Sequence, residues 1–207
     1  VPYLVNIGVN RDKIVYIPNG IDEKFFTQIR LKEENKILFL GRISPIKNIE
    51  TLIYALSLLK NKDIKLETVG PCEEGYLKKL KNLIKQKDLE KRVIFTEAIN
   101  DIHEKIEKID SAKVFVLPSI RESMPQSLIE AMAREKIVIA SDNRGCKEII
   151  EDGKNGYLFK VGAYKELAEK IDYALEHENI KLIKEAKKTV EKFSWGEVIK
   201  KTLKLIG

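Results

Sequence analysis

The stretch that decides the fold is AKVFVLPSIRESMPQSLIEAMAREKIVIAS, residues 112–141. Two uninterrupted apolar runs, AKVFVLP (112–118) and KIVIAS (136–141), flank a segment predicted to be helical at 126–135. An apolar run without polar alternation is typical of a strand whose two faces are both covered by helices. Two such strands joined through a helix form a right-handed crossover, so the stretch predicts one unit of a parallel sheet.

The same alternation of strands and helices extends in both directions from this stretch. The other predicted strands are KILFL (36–40), IKLETV (64–69), RVIFT (92–96) and GYLF (156–159). The other predicted helices cover 48–60, 76–87, 101–109, a short segment at 146–151, and the chain beyond 164. About six strands alternating with helices predict an α/β domain with a doubly wound, Rossmann-like parallel sheet.

The composition is that of a folded globular chain. The 207 residues are 43% hydrophobic and 34% charged, with 38 Lys and Arg against 32 Asp and Glu, a net charge of +6. These values exclude a disordered or fibrous protein. No apolar run approaches the roughly 18 residues of a membrane span, and the opening VPYLVNIGVNRD does not resemble a signal peptide. Because the chain lacks an initiating Met, we expect it to be part of a larger protein.

Cysteine and histidine are too few and too scattered for a metal or disulfide site. Cys72 and Cys146 lie far apart, and the histidines are His103 and His177. Their spacing supports neither a disulfide framework, nor a zinc site, nor a haem motif. We therefore predict no metal and no cofactor, and a reducing, cytoplasmic compartment.

Positive charge concentrates in LKKLKNLIKQK (77–87) and between Lys181 and Lys204. Both stretches have helical periodicity, which favours solvated helix faces. Attraction to an anionic membrane surface or to nucleic acid is the alternative. Aromatic residues are not interleaved with the lysines in stacking order, and this argues against a nucleic-acid partner.

The loops that leave the carboxyl ends of the strands are where a doubly wound sheet binds ligands. The first is GRISPIKN (41–48), in which Gly41 permits a sharp turn and Arg42 and Lys47 bracket a predicted helix start. Two cations beside free helix N–H groups indicate an anion site, most naturally for a phosphate or diphosphate. A plain surface turn is the alternative. No Walker or GxGxxG motif is present.

The second loop, PSIRESMPQSLIEAMARE (118–135), carries two glutamates eight positions apart. Glu122 lies in the loop and Glu130 about one turn into the helix, with the N–H groups of Gln126 and Ser127 between them. Carboxylates accept hydrogen bonds from paired sugar hydroxyls, and helix N–H groups receive phosphate oxygens. Acidic residues favoured by the helix dipole are the alternative. A third polar loop, 141–159, is predicted to converge on the same edge.

The order of these motifs along the chain resembles that of one protein family. PNGID, GRISPIKN, PSIRESMPQSLIEAMA, the IASDNRG to DGKNGYLF segment and FSW follow one another as in the C-terminal domain of retaining GT-B glycosyltransferases. This large family includes glycogen synthases, sucrose synthases and many mannosyl- and glucosyltransferases. The chain resembles it over essentially its whole length, and the two glutamates with seven residues between them are the most distinguishing feature.

The resemblance implies a role for each of the predicted site residues. Arg42 and Lys47 match the basic pair that neutralises the diphosphate of the sugar donor, and Glu122 matches the glutamate that touches the transferred sugar. The resemblance further implies that Glu130 binds the nucleotide ribose and that the backbone from Pro125 to Ser127, with Gln126, binds the phosphates. It also implies that Gly41 belongs to the phosphate loop and that Ile99 lies beside the base.

The chain departs from the family pattern at three places. It reads Ser123-Met124-Pro125 where Gly-Phe-Gly is common, and Pro125 has no N–H to offer a phosphate. Glu97 replaces a glycine that is common before the base-contacting segment. Where the family usually has a GDG-like turn, this chain has Gly70-Pro71-Cys72.

The resemblance also implies what the whole protein does and what is missing. We expect the donor-binding half of a retaining, metal-independent enzyme that moves a hexose from a UDP- or GDP-sugar to an acceptor hydroxyl. Residues 1–35 would be an interdomain lead-in, 36–192 the donor-binding domain, and 193–207 a helix crossing to an absent N-terminal acceptor domain. The expected partners are a nucleotide sugar and that domain, with no nucleic acid.

Other functions stay open on the sequence. The chain resembles a family that also shares its fold with sugar-nucleotide epimerases and phosphorylases, and a nucleotide-sugar-binding or regulatory module without transferase activity is a further alternative. A phosphoacceptor receiver domain is disfavoured because AKVFVLP ends in Pro rather than Asp. We expect a cytoplasmic protein, with possible peripheral contact of the full-length enzyme at the inner membrane face.

Overall fold

The architecture rests on one six-stranded parallel sheet. A computed structural model describes residues 2–27, 32–177 and 179–206. The strands are β1 (Lys36–Leu40), β2 (Lys65–Val69), β3 (Val93–Thr96), β4 (Val114–Leu117), β5 (Ile137–Ser141) and β6 (Tyr157–Phe159). Every neighbouring pair is parallel, in the order β3-β2-β1-β4-β5-β6. The predicted doubly wound α/β sheet is confirmed.

The strands at the centre of the sheet are apolar because both of their faces are covered. Ile37, Leu38 and Phe39 of β1 and Val114 and Phe115 of β4 have no solvent-accessible surface. β1 and β4 pair directly although three helices and two strands separate them in sequence. The chain therefore reverses its direction across the sheet between β1 and β4, and ligands bind beyond the carboxyl ends at this switch point.

Helices cover both faces of the sheet. The helices of the described residues are α1 (Pro2–Asn6), which is exposed, α2 (Ile49–Leu58), α3 (Glu74–Gln86), α4 (Ile102–Ser111), α5 (Gln126–Ala133), α6 (Arg144–Lys147), α7 (Tyr164–Glu176), α8 (Ile180–Val190) and α9 (Trp195–Ile206). Right-handed crossovers place α2 and α3 on one face and α5 on the other. α7 packs on α2, and α8 packs on α5. None of the helices within the described ranges has the length and apolar composition that a membrane crossing requires.

The predicted helix at 146–151 is wrong at both of its ends. α6 covers Arg144–Lys147, because the Asn143 side chain accepts a hydrogen bond from the Cys146 N–H at 3.1 Å and so caps the helix earlier. The other predicted helices and strands agree with the structure to within two or three residues at their ends.

The lead-in and the C-terminal segment run together. Ile21 bridges to Ser194, its N–H donates to the Phe193 carbonyl at 2.7 Å, and its carbonyl accepts from the Trp195 N–H at 3.1 Å. A Cβ on Gly20 would lie 2.5 Å from the Trp195 ring, so only glycine fits this crossing. Val1, residues 28–31 and Gly207, which belong to the predicted lead-in and C-terminal segments, lie outside the described residues, as does the Ile206 side chain.

Only part of the apolar face of α9 is covered by this domain. Val198 is 4% exposed, whereas Ile199 is 51% and Leu203 58% exposed. The helix therefore leaves apolar surface exposed to solvent at Ile199 and Leu203.

A buried carboxylate in β2 is fully paired. Glu67 accepts hydrogen bonds from Lys108 Nζ at 2.6 Å and Thr96 Oγ1 at 2.8 Å, and its other oxygen lies 2.9 Å from Lys36 Nζ. Burial alone raises the pKa of the Glu67 carboxyl, but the bonds from Lys108, Lys36 and Thr96 outweigh burial and lower the pKa to about 2. This network ties β1, β2, β3 and α4 together.

Candidate functional site

The loop after β1 is held against the loop after β2. Gly41 has φ +153° and donates its N–H to the Val69 carbonyl at 2.9 Å. Gly70 has φ +143°, and a Cβ there would lie 2.2 Å from the Gly41 carbonyl oxygen, so glycine is required at this contact. Arg42 follows on the exposed surface and has no ion pair with any described residue. The loop therefore presents a guanidinium with free donors.

The start of α2 is closed, which corrects the expectation of free N–H groups between Arg42 and Lys47. A 3₁₀ turn, Pro45–Lys47, and Asn48 with φ +53° precede α2. The Ile49 N–H donates to the Tyr76 hydroxyl at 3.0 Å and the Thr51 N–H to the Asn48 carbonyl at 3.1 Å. These N–H groups are thus used inside the fold and are not offered to an anion.

Lys47 is paired with the first of the two predicted glutamates. Its Nζ lies 2.6 Å from Glu122 Oε1, and the two side chains are 21% and 10% exposed. The Ile120 N–H donates to the Ile46 carbonyl at 2.9 Å, which joins the loops after β1 and β4 just beside this pair. The structure therefore brings Lys47 and Glu122 together as the sequence predicts, and as a direct ion pair.

Free N–H groups occur instead at the start of α5. The N–H groups of Leu128 and Ile129 both bond the Pro125 carbonyl, at 3.1 and 3.2 Å. Gln126 and Ser127 precede the first helical hydrogen bond, and within the described chain their N–H groups have no partner. Gln126 is exposed and Ser127 half-buried. The positive end of the α5 dipole thus carries two unused donors.

Glu130 lies deep beside α4 and is only half satisfied. Its Oε1 accepts a hydrogen bond from Lys105 Nζ at 2.6 Å, and its Oε2 is buried with no partner among the described residues. The residue is 7% exposed. Burial raises the pKa of the Glu130 carboxyl, and Lys105 offsets this only in part. A ligand that donates hydrogen bonds to Oε2 would satisfy this oxygen.

Lys105 is the site residue that sequence reasoning missed. It lines a cleft of about 140 Å³ together with Gly41, Arg42 and Ile99, at the carboxyl ends of β1 and β2. Three of the predicted site residues thus line the same cleft as Lys105, and Lys105 in turn bonds Glu130. Nothing in the sequence distinguishes Lys105 from the other lysines of α4, since its role depends on the distance to Glu130.

The third loop fixes the second in place. The Asn143 side chain donates to the Ser119 carbonyl at 3.0 Å, and the Ser141 hydroxyl donates to the same oxygen. A Cβ on Gly145 would lie 2.5 Å from the Glu122 carbonyl oxygen, so α6 packs directly against the Glu122 backbone. The predicted convergence of three loops at one edge is therefore present in the structure.

The assembled site is a polar edge of the sheet that offers both hydrogen-bond donors and hydrogen-bond acceptors to a ligand. Arg42, Lys47 and Lys105 supply positive charge, and Glu122 and Glu130 supply carboxylates. Such a set suits a ligand that has both anionic oxygens and hydroxyl groups. The described ranges contain no group of three or more His, Cys, Asp and Glu side chains arranged to hold a metal ion.

Comparison with known proteins identifies the family that the chain matches. Residues 21–192 match the family described as Glycosyl transferases group 1. The putative glycosyltransferase EpsD of Bacillus subtilis is 32% identical over 196 residues, which cover 93% of this chain and 51% of that protein. This chain thus spans about half the length of the curated relatives that it matches.

Solved structures share the fold. HepE from Anabaena, crystallised with UDP, superposes with a TM-score of 0.86 at 21% identity, over 99% of this chain and 60% of that one. The sucrose-phosphate synthase of Thermosynechococcus elongatus superposes with a TM-score of 0.81 at 26% identity, over 92% of this chain and 51% of that one.

Proposed function

This chain belongs to the glycosyl transferases group 1 family, and we propose that it forms the half of a glycosyltransferase that binds a UDP- or GDP-sugar and positions its hexose for transfer to an acceptor hydroxyl. The observation that carries the proposal is the unused polar capacity at one edge of the sheet. Within the described chain, the Arg42 guanidinium, the Gln126 and Ser127 N–H groups and Glu130 Oε2 all lack partners. HepE, whose fold this chain shares, was crystallised with UDP, and this supports a nucleotide as part of the ligand.

The diphosphate is the part of the ligand that the cations fit. Arg42 and the Gln126 and Ser127 N–H groups would donate hydrogen bonds to phosphate oxygens, and Lys47 would move from Glu122 towards the phosphates. When the anomeric bond breaks, new negative charge develops on the leaving nucleoside diphosphate. Groups already arranged around it stabilise the transition state more than the ground state, so the chemistry proposed here needs no metal or cofactor.

The carboxylates are the part of the site that fits hydroxyl groups. Glu130 Oε2, which is buried and has no partner among the described residues, would accept hydrogen bonds from the ribose hydroxyls, while Glu122 would accept them from the transferred sugar. Ile99 lines the cleft beside Arg42 and would pack along the base. Retention of anomeric configuration, which the family resemblance implies, is part of the proposal.

The acceptor half of the protein would come from a preceding domain. In this proposal residues 1–35 and 193–207 are the segments that connect the two halves, and the uncovered Ile199 and Leu203 would pack on that domain. The protein would work in the cytoplasm, with the full-length enzyme able to visit the inner face of the membrane. We expect the 207-residue chain alone to bind a nucleotide sugar weakly and to transfer little or nothing, whereas the full-length enzyme transfers it.

Calorimetric titration with UDP, GDP and ADP, and with their hexose conjugates, tests the proposal. The compounds that carry one of the three bases should bind preferentially, and they should raise the melting temperature of the protein as their concentration increases. Arg42→Ala should weaken that binding by about tenfold, the worth of one charge-assisted bond. Lys184→Ala on the exposed side of α8 is the matched control and should change nothing. Absence of binding by all six compounds would contradict the proposal.

A further inference from the structure

A second cleft lies beside the three loops of the proposed nucleotide site and shares with them Asn48, the last residue of the loop 41–48. It has a volume of about 460 Å³ and runs between α2, α3 and the first residue of α7. This volume falls in the range of about 300–1,000 Å³ that is typical of small-molecule sites. We call it the α2–α3 cleft. Asn48, the residue directly after Lys47, is one of its lining residues.

A fixed carboxylate lies in the α2–α3 cleft. Glu50 accepts hydrogen bonds from the Tyr76 hydroxyl on one oxygen and from Lys79 Nζ, at 2.8 Å, on the other. Tyr76 is itself held by the Ile49 N–H at 3.0 Å. Burial alone raises the pKa of the Glu50 carboxyl, but the bonds from Lys79 and Tyr76 outweigh it and lower the pKa. The bonds from Tyr76, Lys79 and the Glu50 backbone N–H use three of the about four acceptor sites of the carboxylate, and one is left for a hydroxyl donor.

Three neutral amides line the same cleft without using their hydrogen-bonding groups. Asn48, Asn82 and Gln86 all contact the cleft. In the described part of the chain none of their side chains has a hydrogen-bond partner. An amide offers both donors and an acceptor, so the three together match a ligand rich in hydroxyl groups.

Two tyrosine rings form the apolar part of the cleft. The centroids of Tyr54 and Tyr164 lie 5.2 Å apart with 37° between the ring planes, and both residues are half-buried. Lys87 Nζ lies 5.3 Å from the Tyr54 centroid, so one face of that ring is already covered. Tyrosine combines a flat apolar body with a polar tip, which suits the C–H faces and hydroxyls of a sugar ring.

We propose that the α2–α3 cleft binds a neutral oligosaccharide. The charged residues that line the cleft are Glu50 and Lys79, which balance each other, and Lys87 beside the Tyr54 ring adds one positive charge at its edge. A fixed carboxylate, unpaired amides and aromatic rings together recognise hydroxyl groups and C–H faces. Because Asn48 lines the cleft and directly follows Lys47, a bound oligosaccharide would be held next to the proposed nucleotide site without occupying it.

NMR titration of the ¹⁵N-labelled chain with maltotriose, cellotriose and chitotriose tests this inference. At least one trisaccharide should give saturable shifts confined to amides of α2, α3 and residues 162–164, and saturating UDP should not displace it. Gln86→Leu, which keeps the size and loses the amide, should weaken binding about fivefold, the worth of one neutral hydrogen bond. Tyr164→Ala should weaken it about tenfold or more, and Tyr173→Ala on the same helix should leave it unchanged.

Two results would overturn the inference. One is the absence of saturable shifts with all three trisaccharides up to 20 mM. The other is binding that Gln86→Leu and Tyr164→Ala leave unchanged, or that UDP displaces, because the ligand would then lie elsewhere. Gln86 is exposed, so its variant tests the cleft even where Tyr164→Ala loosens the packing against Tyr54. A chain that binds a trisaccharide but no nucleotide would refute the proposed function and leave this inference standing.

Discussion

Replacement of Glu130 by Gln should separate ligand binding from stability. In the free protein one oxygen of Glu130 is bonded by Lys105 and the other has no described partner. Gln removes a buried charge that is only half satisfied, and Lys105, 25% exposed, can turn to water. Because the lost ion pair and the avoided burial oppose each other, the free energy of unfolding should change by no more than about 1 kcal/mol at pH 7.

Nucleotide affinity should fall much further than stability. A carboxylate that accepts two ribose hydroxyls makes two charge-assisted bonds, each worth about 1.5–3 kcal/mol, and Gln keeps only one neutral acceptor. The expected loss is about 2–3 kcal/mol, or about 30- to 150-fold in Kd. Isothermal titration with the preferred nucleoside diphosphate measures this loss, and urea unfolding measures stability on the same samples.

The pH dependence of the same variant has a defined sign. Since the pKa of Glu130 is raised in the folded state, its contribution to stability is fully present below the ordinary value of 4.5 and is lost as pH rises through the raised value. Glu130→Gln lacks that loss, so its stability relative to wild type should increase between pH 4 and pH 7.

Glu67→Gln is the matched control, because Glu67 is also buried and paired with lysines but has both oxygens satisfied. This control should lose about 3 kcal/mol of stability at pH 7 and keep nucleotide affinity. The reasoning fails if Glu130→Gln behaves in the same way, with lower stability and unchanged affinity. Glu130 would then be a structural partner of Lys105.

Three further predictions concern the loops and the buried network. Lys47→Ala should lower turnover of the full-length enzyme about 10²- to 10³-fold, since one preorganised donor to the leaving group is lost, and unchanged turnover would defeat the assignment. Gly145→Ala should push the Glu122 backbone away, so the free energy of unfolding in urea should fall by about 1–3 kcal/mol. The affinity for the nucleotide sugar should fall more than the affinity for the bare nucleotide. A neutral effect would mean that α6 does not support the loop. Wild type should lose stability as pH falls from 4.5 towards 2, where Glu67 takes up its proton, and Glu67→Gln should lack this portion of the loss in acid unfolding monitored by circular dichroism.

The sheet was predictable because its strands are nearly continuous apolar runs. VFVL (114–117) and ILFL (37–40) have no polar position that a solvent-facing strand would show, and they form the centre of the sheet. Glu67 is the exception, since a carboxylate in IKLETV suggests an open face. It is buried because Lys36, Thr96 and Lys108, from three other elements, reach it.

The site was predictable wherever its geometry follows from neighbours in sequence. Glu122, Gln126 and Glu130 belong to one loop and helix, so their shared edge follows from the strand that precedes them. The closed start of α2 depends on the Tyr76 hydroxyl and the pairing of Glu130 depends on Lys105, and both partners come from other helices. Contacts between distant segments leave no local signal in one sequence.

A crystal structure of the chain with the nucleoside diphosphate that binds best tests the central claim most directly. We predict phosphate oxygens within hydrogen-bond distance of Arg42 and of the Gln126 and Ser127 N–H groups, and ribose hydroxyls on Glu130 Oε2. Lys47 should have moved from Glu122 towards the phosphates. Ligand density at any other place, or at this edge with Glu130 Oε2 still unpartnered, would contradict the account.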